Sequence, residues 1–235
     1  MIVICYGMIK SASTFTYNIV NQLIKEDARQ KALNPIEPKD LSDDLKFNFI
    51  DGRIDLPDVR KLLLNADPNF LSTRHIVFKT HMPKSYFQDD FSDNELVSIS
   101  NYRHPVEVAL SLRDAAIKDK KDNKNRFDKF DTFDAALSQV PYQIKCFESW
   151  LGGFNVFYDD LILRPMEVFE DLLVYLNLDQ NLLVVAEELL AKKANVAEYN
   201  IAKLGRRFDE LSSDSIEKYE NEFNSFIELI NSLKN

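Results

Sequence analysis

Three short segments of the chain put cations, hydroxyls and an imidazole where the backbone is expected to turn. Lys10-Ser11-Ala12-Ser13-Thr14 follows the apolar run Ile2 to Tyr6 and Gly7. Lys79-Thr80-His81 closes the run HIVFKT, and Arg103, with Ser111 eight residues on, closes LVSISNY. A lysine and hydroxyls at the start of a helix hold an anion, because the first backbone N–H groups lack partners and the dipole is positive there. Arg103 offers a forked donor suited to phosphate, and Ser111 falls about two helical turns further on. Together these residues predict a ligand with phosphate at more than one point, and His81 offers a base.

These groups need a scaffold that brings strand ends together. Ile2 to Tyr6, the polar loop, then Phe15, Tyr17, Ile19, Val20 and Leu23 read as a buried strand, a tight loop and an amphipathic helix ending near Arg29. Such a segment is also compatible with a plain capped helix, with Ser11 or Ser13 as N-cap and Lys10 in solvent. It is not a Walker loop: G-x-x-x-x-G-K-[ST] puts its lysine just before the final hydroxyl, whereas Lys10 precedes Ser11, Ser13 and Thr14. A second strand-turn-helix follows at Leu96 to Tyr102, with Pro105 in the first helical turn and Val106, Val108, Ala109, Leu110 and Leu112 at helical spacing.

Lys31 to Asp44 reads as a surface connection, Lys46 to Ile50 as a short strand, Asp51-Gly52 as a turn and Leu56 to Leu64 as a helix. Lys118 to Lys129 is almost wholly polar and reads as a solvated loop, or as a lid over a ligand. Phe130 to Trp150 is a helix that Pro141 kinks or splits, ended by Gly152-Gly153. Phe154 to Tyr158 is a last strand. Helices are expected from Pro165 to about Leu176, from Asn181 to Lys193, and from Ser212 to Leu233 with Ser212 or Ser213 as cap. Strands alternating with helices imply a three-layer α/β/α domain over residues 1–235, with a mostly parallel sheet of about five strands and ligands at their carboxyl ends.

The 235 residues, 45% hydrophobic, suffice for one domain with a sizeable core. A net charge of −9 argues against a general nucleic-acid or anionic-membrane binder, so an anionic ligand must be held by a local cluster of cations. Cys5 and Cys146 show no spacing motif and read as buried thiols in a reducing compartment; His75, His81 and His104 lack metal-site spacing. The apolar start is too short for a secretory h-region, and no stretch approaches the roughly 20 apolar residues of a membrane span. A cytoplasmic location is expected.

Ile9 to Phe15 (IKSASTF) resembles the 5′-phosphosulfate-binding loop P-K-S-G-T-T-W of the sulfotransferases that use 3′-phosphoadenosine 5′-phosphosulfate. Val77 to Pro83 (VFKTHMP) resembles the K-T/S-H-L-P segment of the cytosolic type. Tyr102 to Ser111 (YRHPVEVALS) resembles their R-N-P-K-D-V-A-V-S, and Phe157 to Pro165 (FYDDLILRP) their Y-E-D-L-x-x-D-P. The resemblance spans roughly residues 1 to 178 and implies a P-loop NTPase-like fold. It further implies that Lys10, Ser11, Ala12, Ser13 and Thr14 hold the 5′-phosphosulfate, with Phe15 in place of the tryptophan near the adenine. Arg103 and Ser111 would bind the 3′-phosphate and Tyr158 would approach the adenine. His81 would be the general base, Lys79 would stabilise the transferred sulfuryl group, and Lys10 the leaving oxygen. No metal is implied. The partner is a small-molecule acceptor with a hydroxyl or amine, and a homodimer is compatible with the family.

Ala12 stands where the family has glycine, which is acceptable if that position avoids a positive φ. The C-terminal R-K-G-x-x-G element that closes over the 3′-phosphate is replaced at best by Asn200 to Arg207 (NIAKLGRR), with Lys203, Arg206 and Arg207 as its cations. Two other functions compete: a small-metabolite kinase on the same scaffold, which needs a lysine and hydroxyl order that this loop lacks, and a nucleotide-binding module without turnover. The acceptor site would be built from Asn34 to Asn69, Lys118 to Phe133 and Asn195 to Leu204. Phe127, Phe130, Phe133 and Tyr142 either line it or belong to the core.

Overall fold

The computed structural model of the chain describes residues 1–33, 61, 63–65, 67–86, 96–124, 126–192 and 203–234. The candidate strand Lys46 to Ile50, the turn after it and most of Leu56 to Leu64 lie outside the described residues. Among the described residues four parallel strands form the sheet: β1 (Ile2–Gly7), β2 (Ile76–Thr80), β3 (Leu96–Tyr102) and β4 (Phe154–Phe157), in the order β2-β1-β3-β4. All four were legible as apolar runs. The chain moves outward from β1 to β2 on one side and from β3 to β4 on the other, so the crevice between β1 and β3 is the switch point at which such sheets bind ligands.

The alternation of side chains along β1 builds both core layers. Ile2, Ile4 and Tyr6 face one layer; Val3 and Cys5 face the other. The first layer is made by α3 (Pro105–Lys121), α4 (Phe133–Leu137), α5 (Val140–Ser149) and α11 (Asn224–Leu233), through Leu112, Leu137, Phe147 and Phe226. The second is made by α1 (Ser13–Gln30), α7 (Pro165–Tyr175) and α8 (Leu183–Ala191), through Ile19, Leu23, Phe169 and Leu172. Each such side chain contributes about 1.5–3 kcal/mol on leaving water. A short α2 (Phe70–Thr73) leads into β2, and α6 (Tyr158–Leu163) follows β4 directly. Cys5 and Cys146 are buried free thiols.

Several boundaries differ from the sequence reading. Lys118 to Lys121 is the last turn of α3, because its cations meet the negative end of the helix dipole and Lys120 pairs with Asp131. Lys124 N donates to the Asp119 carbonyl (2.7 Å), and Phe127 and Phe130 pack on the core, so this stretch is anchored at both ends. Pro141 does split its helix, opening α5 after Thr132 caps α4 by accepting from Ala135 N. The expected single C-terminal helix is two, α10 (Ser213–Glu222), capped by Ser212, and α11. The break falls at Phe223, whose buried ring turns the chain onto the sheet.

Candidate active site

The parallel register sets Tyr6 beside Thr80 and Gly7 beside Asn101, so the carboxyl ends of three strands lie level. From that edge the chain must turn within five residues into α1. Gly7 makes this possible: a Cβ there would lie 2.1 Å from Ser13 Cβ. The turn uses two left-handed residues, Lys10 (φ 67°) and Ala12 (φ 65°). The condition under which alanine would be acceptable at position 12, avoidance of positive φ, is not met; the closeness of strand and helix favours the conformation and the alanine bears the steric cost.

Buried hydrogen bonds hold the loop in this shape. Met8 N donates to the Asn101 carbonyl (3.2 Å), Ile9 N to Gln143 Oε1 (3.0 Å), and Ser11 Oγ to the Met8 carbonyl (2.6 Å). Asn101 Nδ2 donates to Thr16 Oγ1 (2.8 Å). The Ser11 hydroxyl is thus used within the loop, and Ser13 packs against Gly7. No side chain caps the first turn of α1, and that turn carries no acidic residue, which leaves it suited to an outside anion. Thr14 is the hydroxyl that reaches the neighbouring strand end, accepting from Lys79 Nζ at 2.7 Å. Lys10 Nζ lies 6.0 Å from the centroid of the Phe127 ring, so the Lys118 to Lys129 stretch borders the loop. Phe15 lies in the core, 6.4 Å from Phe169.

His81 follows β2 immediately. Its Nδ1 is 2.5 Å from the Gly7 carbonyl, an acceptor, so Nδ1 carries the proton and Nε2 the lone pair. Burial and then the adjacent Lys79 ammonium lower its pKa to about 4, and the bond to Gly7 only partly opposes them. The ring is neutral at physiological pH, the form a proton acceptor needs. The segment beyond it is fixed by Trp150, whose Nε1 donates to the Met82 carbonyl (2.8 Å) and whose ring stacks on Tyr6. Gln143, Trp150 and Asn101 all brace the site, and none stood out in the sequence.

A second cationic point lies across the crevice. The buried Arg103 guanidinium stacks 4.0 Å from the centroid of the Tyr158 ring and donates to the Lys10 carbonyl (3.2 Å), the Lys203 carbonyl (3.5 Å) and Glu107 Oε2 (3.3 Å). Its Nε is buried with no partner. Ser111 is buried on α3. Gly205 opens α9 (Arg206–Glu210), which docks beside Arg103: Arg207 N and Nη1 both reach Glu107 Oε1 (3.1 and 3.4 Å), and Arg207 Nε reaches Glu220 (3.1 Å). Arg206 is turned to Asp114 (2.5 Å) and Glu210 (2.7 Å). The two arginines therefore lie next to the predicted 3′ site but are engaged by carboxylates. Burial and the charges of Arg207 and Arg103 lower the His104 pKa to about 3, so its 3.8 Å approach to Glu220 is the contact of a neutral ring rather than an ion pair.

Of the aromatic acceptor-site candidates, Phe130 is core, Phe127 and Phe133 are partly buried against it, and Tyr142 is exposed. Among the described residues no helix is long and apolar enough to cross a membrane, and no group of three or more His, Cys, Asp or Glu could hold a metal.

No protein-family model matches the sequence, and no curated protein matches it. Solved structures do. Mouse sulfotransferase SULT7A1, complexed with PAP, superposes with a TM-score of 0.57 at 11% identity, covering 95% of this chain and 83% of that one. Retinol dehydratase in complex with androsterone and inactive cofactor PAP gives 0.61 at 15%, and its complex with retinol and PAP gives 0.59 at 15%, each covering 95% of this chain and 80% of the other. At these identities the likeness establishes the fold: a central parallel sheet between helical layers, as in the sulfotransferases.

Proposed function

We propose that this chain is a sulfotransferase that moves a sulfuryl group from 3′-phosphoadenosine 5′-phosphosulfate to a hydroxyl or amine of a small-molecule acceptor. The observation that carries the proposal is the convergence of Lys79, bonded to Thr14, and His81, bonded to Gly7, on an uncapped helix N-terminus, within a fold shared with sulfotransferases solved with PAP. The residues present fit a nucleotide with phosphate-type groups at both ends: Ala12 supplies no side-chain cap to the first turn of α1, and the buried Arg103 Nε has no partner. Lys10, Ser11, Ala12, Ser13 and Thr14 would hold the 5′ end; Arg103, Ser111 and Tyr158, with Arg206 and Arg207 nearby, would hold the 3′ end. Androsterone and retinol in the neighbour's complexes support a small-molecule acceptor.

The bound nucleotide supplies an activated sulfuryl group; the protein supplies position and charge. His81 Nε2 takes the proton of the acceptor hydroxyl as its oxygen attacks, while Nδ1–H remains on the Gly7 carbonyl and keeps the ring oriented. Lys79 and Lys10 offset the negative charge that shifts across the transferred group to the departing oxygen. None of these steps asks for a metal.

In a thermal-shift assay, 3′,5′-adenosine bisphosphate without magnesium is expected to stabilise the protein and ATP with magnesium to leave it unchanged; the reverse pattern would indicate a kinase. Transfer of radiolabelled sulfuryl to an acceptor panel then separates an enzyme from a binding module. His81→Ala is expected to lower transfer by about 10²–10⁴-fold while retaining the nucleotide shift. Equal transfer by both proteins removes His81 from its role.

A further inference from the structure

We infer that Asn101 and Gln143 are positioning residues of the anion loop: two buried amides that hold Met8 to Thr16 in its strained form, so that the N–H groups at the start of α1 are aimed before any ligand arrives. The inference rests on the nucleotide reading above.

Asn101 is fully buried at the end of β3 and Gln143 nearly so in the first turns of α5. Neither is a sequence neighbour of the loop, yet both end on it. Gln143 Oε1 takes the N–H of Ile9, the residue just before left-handed Lys10, and its own carbonyl is fixed by the Tyr6 hydroxyl at 3.1 Å. Asn101 Nδ2 spans left-handed Ala12, lying 3.5 Å from the Ser11 carbonyl before it and 2.8 Å from Thr16 Oγ1 after it. Two non-glycine residues at positive φ persist only where surrounding contacts over-determine the backbone, and these amides do so from outside the loop together with Arg103, which donates to the Lys10 carbonyl. Without them Lys10 and Ala12 can relax to ordinary backbone regions, which rotates the adjoining N–H groups away from a common point.

Asn101 carries a sign that stability is not its main contribution. Its Oδ1 is buried with no partner, which costs the fold free energy that an apolar side chain of the same size would avoid. Asn101→Leu removes this unsatisfied oxygen but also takes the donor from Thr16 Oγ1, so it should bind poorly while melting only modestly below wild type.

The test compares 3′,5′-adenosine bisphosphate with 3′-AMP, which lacks the 5′ group, by calorimetric titration of wild type, Gln143→Met and Asn101→Leu, both near in shape to the originals. Each variant is expected to bind the bisphosphate about tenfold more weakly and 3′-AMP as wild type does. Ala12→Gly in the Gln143→Met background is expected to recover part of the loss, because glycine adopts positive φ without steric cost. A variant pair that binds the bisphosphate like wild type, or loses both nucleotides equally, overturns the inference while leaving the nucleotide reading intact. Wild-type protein that ignores the bisphosphate overturns that reading, and the inference with it.

Discussion

Replacing Glu107 by alanine should destabilise the fold sharply. Its carboxylate is buried between two arginines, taking Arg103 Nη2 on one oxygen and Arg207 N and Nη1 on the other. The Arg103 side chain is only 5% exposed and keeps no other carboxylate among the described residues, whereas Arg207 is 19% exposed and retains Glu220. Breaking a buried pair by removing one partner costs about 3–5 kcal/mol, and the remaining support of Arg207 places this case near the lower end. For a chain of this size about 3 kcal/mol corresponds to a fall in Tm of roughly 6–12 °C. Urea denaturation of wild type and variant measures the free energy directly, and hydrogen exchange over residues 206–210 reports whether α9 has come loose. Sulfate or 3′,5′-adenosine bisphosphate, by supplying negative charge near Arg103, should raise the melting temperature of the variant more than that of wild type. A loss below about 1 kcal/mol, the level of an exposed ion pair, would refute the reasoning, because it would mean that neither arginine depends on this carboxylate.

The three histidines predict acid lability. His75, His81 and His104 have folded pKa values lowered to about 4, 4 and 3, in each case mainly by burial, against an ordinary value of 6.5. Between those limits the unfolded chain binds more protons, so stability is complete above about pH 6.5 and falls as the pH drops toward 4. Melting temperatures from pH 4.5 to 7.5 should rise with pH, with a shallower slope in His104→Asn; a flat profile would contradict the burial of these rings. Gly7→Ala should abolish the nucleotide-induced thermal shift, since its Cβ would meet Ser13 Cβ at 2.1 Å and displace the start of α1; an unchanged shift would show that the loop tolerates the displacement.

The strand ends were legible because apolar runs bounded by polar turns are a local signal, and from them the meeting of Lys79, His81 and the first loop followed once the strands were taken as parallel. The positive φ at Ala12 was not, because alanine carries no mark of the backbone region it is made to occupy; only the distance between Gly7 and Ser13 reveals it. Asn101 and Gln143 escaped notice because their partners are backbone groups and a hydroxyl far away in sequence, and a polar residue on a mostly apolar element gives no hint of which distant group it satisfies. Glu107 was hidden in the same way: at helical spacing it reads as a solvated residue among Val106 and Val108, and its burial depends on α9 folding back from a hundred residues away. Trp150 was legible only as the end of a helix, and nothing local shows that its indole N–H fixes the Met82 carbonyl just beyond His81.

The strand order has a consequence for how the chain must be made. β1 lies at the centre of the sheet, yet Ile2 pairs with Ile76 on one side and Leu96 on the other. During synthesis at roughly 5–20 residues per second, the most apolar strand therefore waits on the order of several seconds before either neighbour exists. Parallel pairing at such separation is slow to nucleate and leaves an unpaired strand edge open to other chains. Production should therefore respond to chaperone supply and to growth temperature more than the stability of the finished fold would suggest.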